Sequence, residues 1–264
     1  MSIKTKSWAE LQKMHRACTL VVETLDALEK AAVPGVTTKE LDKIAHDKIV
    51  GAGAKPAFLG YKVRGRAYPA SLCVSVNDEI VHGIPSKRKL VEGDIVGLDL
   101  GAIVEGYYGD AARTVAVGKI TAEAQKLMKV TQESLFAGIE QCRLGKRVGD
   151  IGYAVQQHAE RHGYSLAQGF TGHGIGTRLH EEPEVPNFGP PGQRPRLVAG
   201  MCLAIEPMVN IGTGETEMLE DEWTAVTADG SLSAHYELTV AVTQFGPWIL
   251  SEPYPYGQEQ RAHG

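Results

Sequence analysis

From Ser7 to Ala32 the apolar residues Leu11, Met14, Cys18, Val21, Leu25 and Leu28 recur at spacings of three and four, with charged residues between them. That period predicts an amphipathic helix, ended by Pro34-Gly35. Thr37-Thr38-Lys39-Glu40 has the form of a capping box and opens a second helix through Val50, closed by Gly51, Gly53 and Pro56. The pattern then turns to alternation. SLCVSVN (71–77), DIVGLDLGAIV (94–104) and YYGDAARTVAV (107–117) read as strands, the last two joined by a tight turn at Glu105-Gly106. A second helix pair is expected over Thr121 to Cys142 and Asp150 to His162, followed by strands at 201–211 (MCLAIEPMVNI) and 234–243 (AHYELTVAVT).

The two helix pairs hint at duplication. Gly35 matches Gly145, Glu40 matches Asp150, Leu41 matches Ile151 and Gly53 matches Gly163, all at one offset. We therefore expect one α+β domain over 1–264, built of two related halves (roughly 8–118 and 119–250) around shared strands, with the tail 253–264 extended or frayed.

Composition adds exclusions. With 264 residues, 43% hydrophobic and 22% charged, the chain can bury a substantial core. A net charge of −5 gives no reason to expect a specific DNA partner. Cys18, Cys73, Cys142 and Cys202 form no CxxC pair, so reduced thiols in a cytoplasmic protein are expected. Charged residues interrupt the first thirty positions, and no apolar run is long enough for a membrane helix.

Four acids occupy positions where an interior strand prefers apolar residues: Asp99 in GLDLG, Asp110 in YYGDAAR, Glu206 in LAIEPMV and Glu237 in HYELTVAV. A buried, unpaired carboxylate is costly, so each alone is better explained by solvent or a basic partner. A turn at Glu105-Gly106 weakens that explanation. It sets Asp99 opposite Ala112 and Asp110 opposite Gly101, which makes the two aspartates diagonal neighbours on one sheet face. Arg113 then points to the other face. Divalent cations would neutralise such a group, and an imidazole ligand would favour a transition metal. TGHGIGTRLHEEPEVP (171–186) offers His173 and His180 in irregular or extended backbone, where the glycines would allow close approach to a crowded centre.

Taken in order, Asp99, Asp110, His173, Glu206 and Glu237, in GLDLG, GDAART, GHGIG, AIEPMV and HYEL, resemble the metal ligands of the type I methionine aminopeptidases. The resemblance runs from the first helix to about residue 250 and implies the pita-bread fold. It implies two divalent ions (Co, Mn, Fe or Zn): Asp99 on one, Asp110 and Glu237 bridging, His173 and Glu206 completing the other. It further implies removal of the initiator methionine from nascent chains with a small second residue, which this chain's own Met1-Ser2 start satisfies. Glu206 would relay a proton, while His82 (IVHGIP) and His180 (LHEEP) would hydrogen-bond the substrate. Phe58, Tyr61, Tyr68, Cys73, Leu179, Trp223 and His235 would form the methionine pocket.

There are departures from the family pattern. Leu179 stands where an aromatic is common, His235 where Gln is frequent, and Leu238 where His follows the bridging glutamate. The segment Lys62–Ala67 (KVRGRA) lengthens the spacing between the two pocket tyrosines. His235 is expected to add a titratable group beside Glu237 and sharpen the pH dependence of turnover. Lys62, Arg64 and Arg66 are expected to contact ribosomal RNA or an acidic nascent chain. A monomer is expected. The alternatives are an Xaa-Pro peptidase on the same fold, a scaffold that has lost catalysis, and an unrelated protein with solvent-facing acids.

Overall fold

Ser7 accepts a hydrogen bond from Glu10 N while the Glu10 carboxylate takes the Ser7 N–H, and this reciprocal cap starts helix α1, Trp8–Ala31. Thr37 and Glu40 repeat the device for α2, Thr38–Gly51. The second pair is α3, Ala122–Ile139, and α4, Val148–Arg161. Helix α3 is shorter than its apolar pattern, ending before Cys142. Helix α4 starts two residues earlier than expected, because Asp150 is the residue that reaches back to the Arg147 N–H. Helices α2 and α4 are both 14 residues long. Each is preceded by a residue in an isolated bridge, Thr37 with Lys89 and Arg147 with Arg196. Each is followed by a glycine at positive φ, Gly53 and Gly163.

The computed structural model describes residues 3–256. The Met1-Ser2 start and the tail beyond 256 lie outside the described residues. The described part of the tail, residues 253–256, is packed against the body of the protein. Tyr254 packs edge-on against Trp8 and Trp248, and the Tyr256 hydroxyl donates to Pro247 O. Ring burial there outweighs the polar composition of the segment.

Nine strands of the described residues form the central sheet: β1 Lys55–Pro56, β2 Cys73–Val76, β3 Ile95–Val104, β4 Tyr107–Ala116, β5 Gly172–Gly174, β6 Glu181–Val185, β7 Cys202–Ile205, β8 Glu237–Thr243 and β9 Gly246–Ile249. The order is β1-β3-β4-β8-β7-β5-β6, with β2 also on β3 and β9 also on β8. Neighbouring strands are antiparallel throughout. On one face, Val96, Leu98, Leu100 and Val115 pack under α1 and α2. Leu203, Ile205, Val240 and Val242 pack with Leu135, Ile139 and Ile151 of α3 and α4.

The two long strands expected at 201–211 and 234–243 do not exist as such. Each is cut in two. The first breaks at Glu206-Pro207 and resumes as Met208–Asn210, and the second breaks at Tyr236, after Ser233–His235. The outer fragments pair with each other in a separate three-stranded sheet, Met208 opposite His235. Pro207 has no N–H for the central ladder, and there the two strands leave it together.

Close approach explains several glycines. A Cβ on Gly109 would lie 2.5 Å from Cys18 N, where α1 crosses β4. Gly109→Ala is expected to cost about 1–3 kcal/mol through overpacking. Gly51→Ala has open space and helical backbone, and is expected to gain up to about 1 kcal/mol. Urea unfolding of the two variants beside the parent checks both signs.

Candidate metal and peptide site

The hairpin β3–β4 turns at Glu105 and Gly106, both at positive φ, and pairs Asp99 with Ala112 and Gly101 with Asp110. The expected register is therefore the observed one. The pairing continues across the sheet. Glu237 lies opposite Ala112, Thr239 opposite Ala204, and Ala204 opposite His173. Directly paired residues share a face, as do residues two apart along a strand. Register alone therefore sets Asp99, Asp110, Glu237 and His173 on the side away from the helices. Glu206, two residues beyond Ala204 and just past the end of β7, joins them. Arg113 projects the other way, to Asp26 and Glu29 of α1 at 2.8 and 2.6 Å.

The side chains converge. His173 Nε2 is 3.5 Å from Glu206 Oε1 and 4.0 Å from Asp110 Oδ2. Donor atoms of Asp110, His173 and Glu237 lie within 4.8 Å of one another, and so do those of Glu206, His235 and Glu237. Glu237 belongs to both groups. Asp99 lines the same cavity but falls in neither group. Asp99 Oδ1, Asp110 Oδ1, Glu237 Oε1 and His235 Nε2 are buried with no hydrogen-bond partner. His173 Nδ1 pairs with Gly174 O at 3.0 Å, so that nitrogen carries the proton and Nε2 presents its lone pair to the acids. Partnerless buried oxygens, a correctly oriented imidazole and the lack of any lysine or arginine ion pair to these acids among the described residues fit divalent metal ions.

Electrostatics agrees. Burial raises Asp99 from 3.8 to about 7. Burial first, and neighbouring carboxylates second, push Asp110, Glu206 and Glu237 well above the usual range. Burial lowers His173 to about 3 and His82 to about 4, with His180 adding to both effects.

The segment 172–181 is held from both sides. A Cβ at Gly172 would lie 2.4 Å from Ala204 O, and one at Gly174 would lie 2.2 Å from Glu182 O. The glycines thus serve close strand pairing of β5 rather than approach to the donors themselves. Lys6 donates to Glu181 at 2.7 Å, with both side chains buried. The other Glu181 oxygen accepts from Thr177 N and Arg178 N. This clamps the loop that carries Leu179 and His180. The His180 ring sits 4.2 Å from that of His173, and its Nδ1 meets the Tyr61 hydroxyl at 2.5 Å. His82 holds a positive φ of 61° and packs edge-on against Phe170. Such backbone in a non-glycine residue marks a position fixed by its surroundings.

A cavity of about 240 Å³ opens above the acids. Its lining includes Phe58, Tyr61, Tyr68, Cys73, Leu179 and Trp223, as expected from the sequence. His235 is absent from it. That residue is buried in the strand Ser233–His235, with its backbone bonded to the Thr114 hydroxyl. Burial lowers it to about 3. Val63, Val81, Phe170 and Thr171 also line the cavity and were missed. Phe170-Thr171 directly precede GHGIG and Val81 precedes His82, so adjacency to the motifs was the signal.

In metal-free protein the raised acids bind more protons when folded than when unfolded. Their stabilising contribution is complete below the unfolded carboxylate range near 4 and is lost as pH rises through the folded values. The lowered histidines act with the opposite sign over the same range, so the acids are isolated by difference: in excess chelator the melting temperature of the parent relative to that of Asp99→Asn is expected to fall between about pH 5.5 and about pH 8. Calorimetry across that range checks it.

A profile of metallopeptidase family M24 matches residues 12–244. The methionine aminopeptidase of Clostridium acetobutylicum is 52% identical over 247 residues, 93% of this chain and 97% of that one. The crystal structure of methionine aminopeptidase from Rickettsia prowazekii superposes with a TM-score of 0.92 at 40% identity, covering 95% of this chain and all of the other. The prolidase of Pyrococcus furiosus shares the fold, with a TM-score of 0.76 at 22% identity, and spans more than this chain, which covers 66% of it. The sheet with its curled antiparallel strands and paired helices is thus the pita-bread fold, and the chain belongs to metallopeptidase family M24, among the methionine aminopeptidases.

Proposed function

We propose that the protein removes the initiator methionine from nascent polypeptides whose second residue is small, in the cytoplasm, as a monomer in which both halves of the chain contribute to one site. The observation that carries this reading is the set of five donors on one sheet face, with one oxygen each of Asp99, Asp110 and Glu237 buried and partnerless, at the floor of a largely apolar cavity. Asp99, Asp110, His173, Glu206 and Glu237 would hold two divalent ions. Cobalt, manganese, iron and zinc all suit mixed carboxylate and imidazole ligation. When bound, such ions supply Lewis acidity toward the scissile carbonyl and lower the pKa of water.

The chain's own residues do the rest. Phe58, Tyr61, Tyr68, Cys73, Leu179 and Trp223 enclose an unbranched thioether side chain, whose flexible, polarizable atoms suit an aromatic wall. Tyr68 is fixed by its hydroxyl bond to Gly83 O at 2.8 Å and by edge contact with Trp223. In this reading Glu206 takes a proton and returns it to the leaving amine. His82 and His180 are both lowered and therefore neutral. With the Tyr61 O–H donating to Nδ1, His180 keeps its Nε2–H for a substrate oxygen.

The test uses chelator-treated protein reconstituted with each ion in turn. Cleavage of Met-Ala-Ser, absent without metal and restored by at least one ion, is expected, with no release from Ala-Pro-Ser. Metal-independent turnover or a preference for the Xaa-Pro peptide would overturn the reading. Glu206→Gln is expected to lower kcat by about 10²- to 10⁴-fold. His173→Ala is expected to weaken metal binding measured by calorimetry.

A further inference from the structure

The segment Lys62–Ala67, which lengthens the spacing between Tyr61 and Tyr68, folds as a hairpin. Lys62 pairs with Ala67 and Val63 with Arg66, across a two-residue turn in which Arg64 and Gly65 both have positive φ. It borders the methionine cavity through Val63. It also forms one wall of a second cavity, about 630 Å³, that is lined in common with the first by Val63, His82, Phe170 and Trp223. The two spaces adjoin at these four side chains, so the outer one lies beside a peptide whose first residue occupies the inner one.

The outer space has a defined chemistry. Its far wall is the strand Thr216–Met218, an edge strand that pairs only with Ala225–Thr227. Thr216 and Met218 line the cavity, while Glu217, between them, does not. The charged lining residues are Arg64, Arg66 and Glu222. Arg66 and Glu222 form an ion pair at 2.6 Å that joins the hairpin to the loop carrying Trp223. Each offsets the other. Arg64 is left with no carboxylate partner among the described residues, so the lining carries one uncompensated positive charge.

We propose that this outer cavity is a subsite for the polypeptide beyond the cleaved bond, and that Arg64 makes it favour an acidic side chain there. The inference rests on the aminopeptidase reading and adds a preference to it. An extended chain advances roughly 3.3 Å per residue, so positions three to five of the substrate are those to vary.

The experiment compares kcat/KM for pentapeptides Met-Ala-Ser-Ser-Ser carrying a single Asp or Lys at position three, four or five. An exposed charge pair supports a preference of about three-fold for Asp over Lys at one of these positions. It should appear in KM rather than kcat, because it is made equally before and in the transition state. The preference is expected to shrink at high salt, persist in Arg64→Lys, vanish in Arg64→Ala and invert in Arg64→Glu. Cleavage of the C-terminally amidated tripeptide Met-Ala-Ser-amide, which carries no carboxylate, should be the same in all four proteins. Equal treatment of Asp and Lys by the parent, or an acidic preference untouched in Arg64→Glu, would overturn the subsite. Failure of the parent to cleave Met-Ala-Ser at all would overturn the aminopeptidase reading itself, and the subsite with it.

Discussion

Four carboxylates are gathered on one face of a sheet with no lysine or arginine among the described residues paired to them. Desolvation and mutual repulsion both oppose this arrangement. Arg113 and Lys6 are committed elsewhere: Arg113 reaches to Asp26 and Glu29 on the helix side, and Lys6 is held by Glu181. The protein can bear the arrangement because the opposite face of the same strands is apolar and covered by two helix pairs. The backbone ladder and that packing fix the register, and the register fixes the acids. Neutralising charge must come from outside the chain, so metal binding and folding stability are linked.

The site also needs space, and the sheet supplies it by dividing. At Pro207 and Tyr236 two adjacent strands leave the central ladder together and pair again in a smaller sheet. Glu206 and Glu237 sit at this division, one just past the end of its strand and the other at the start. Asp99 and Asp110 lie within a continuous hairpin, where their positions are most rigid. Rigid donors on one side and donors at a parting of sheets on the other leave room for ions and for a peptide between them.

Much of this was legible in the sequence, for definable reasons. A two-residue turn sets hairpin pairing without reference to the rest of the fold, so the facing of Asp99 and Asp110 followed from Glu105-Gly106 alone. Glu206 and Glu237 stood out as acids inside apolar strands, but their grouping with the aspartates, and the choice of His173, came from motifs rather than pattern. The division of the strands was half visible. Pro207 lacks an N–H, but nothing local distinguishes Tyr236, whose break is imposed by the neighbouring strand. His235 was misplaced for that reason. As part of a continuous strand it could line the methionine pocket, whereas on the far side of the break it is turned under the acids and bonded to Thr114. The length of Lys62–Ala67 was evident in the sequence, but its place as the wall of a second cavity depended on the loop at Glu222, remote along the chain.

The histidines decide what kind of counter-charge the site takes. Four of them, His82, His173, His180 and His235, lie in or beside the acid cluster, and protonating them would be the simplest way to neutralise it. Burial prevents that, lowering all four. Positive charge can then reach the cluster as protons on the carboxylates themselves or as metal ions. Protons lie on the oxygens that ions would occupy, so the two compete, and lone pairs on neutral imidazoles favour the ions. The same low polarity that leaves the His173 lone pair free for a metal keeps His82 and His180 neutral, the state in which the proposed function has them donate to a peptide. In that reading one physical condition, a dry face held rigid from behind, serves metal retention and substrate recognition together.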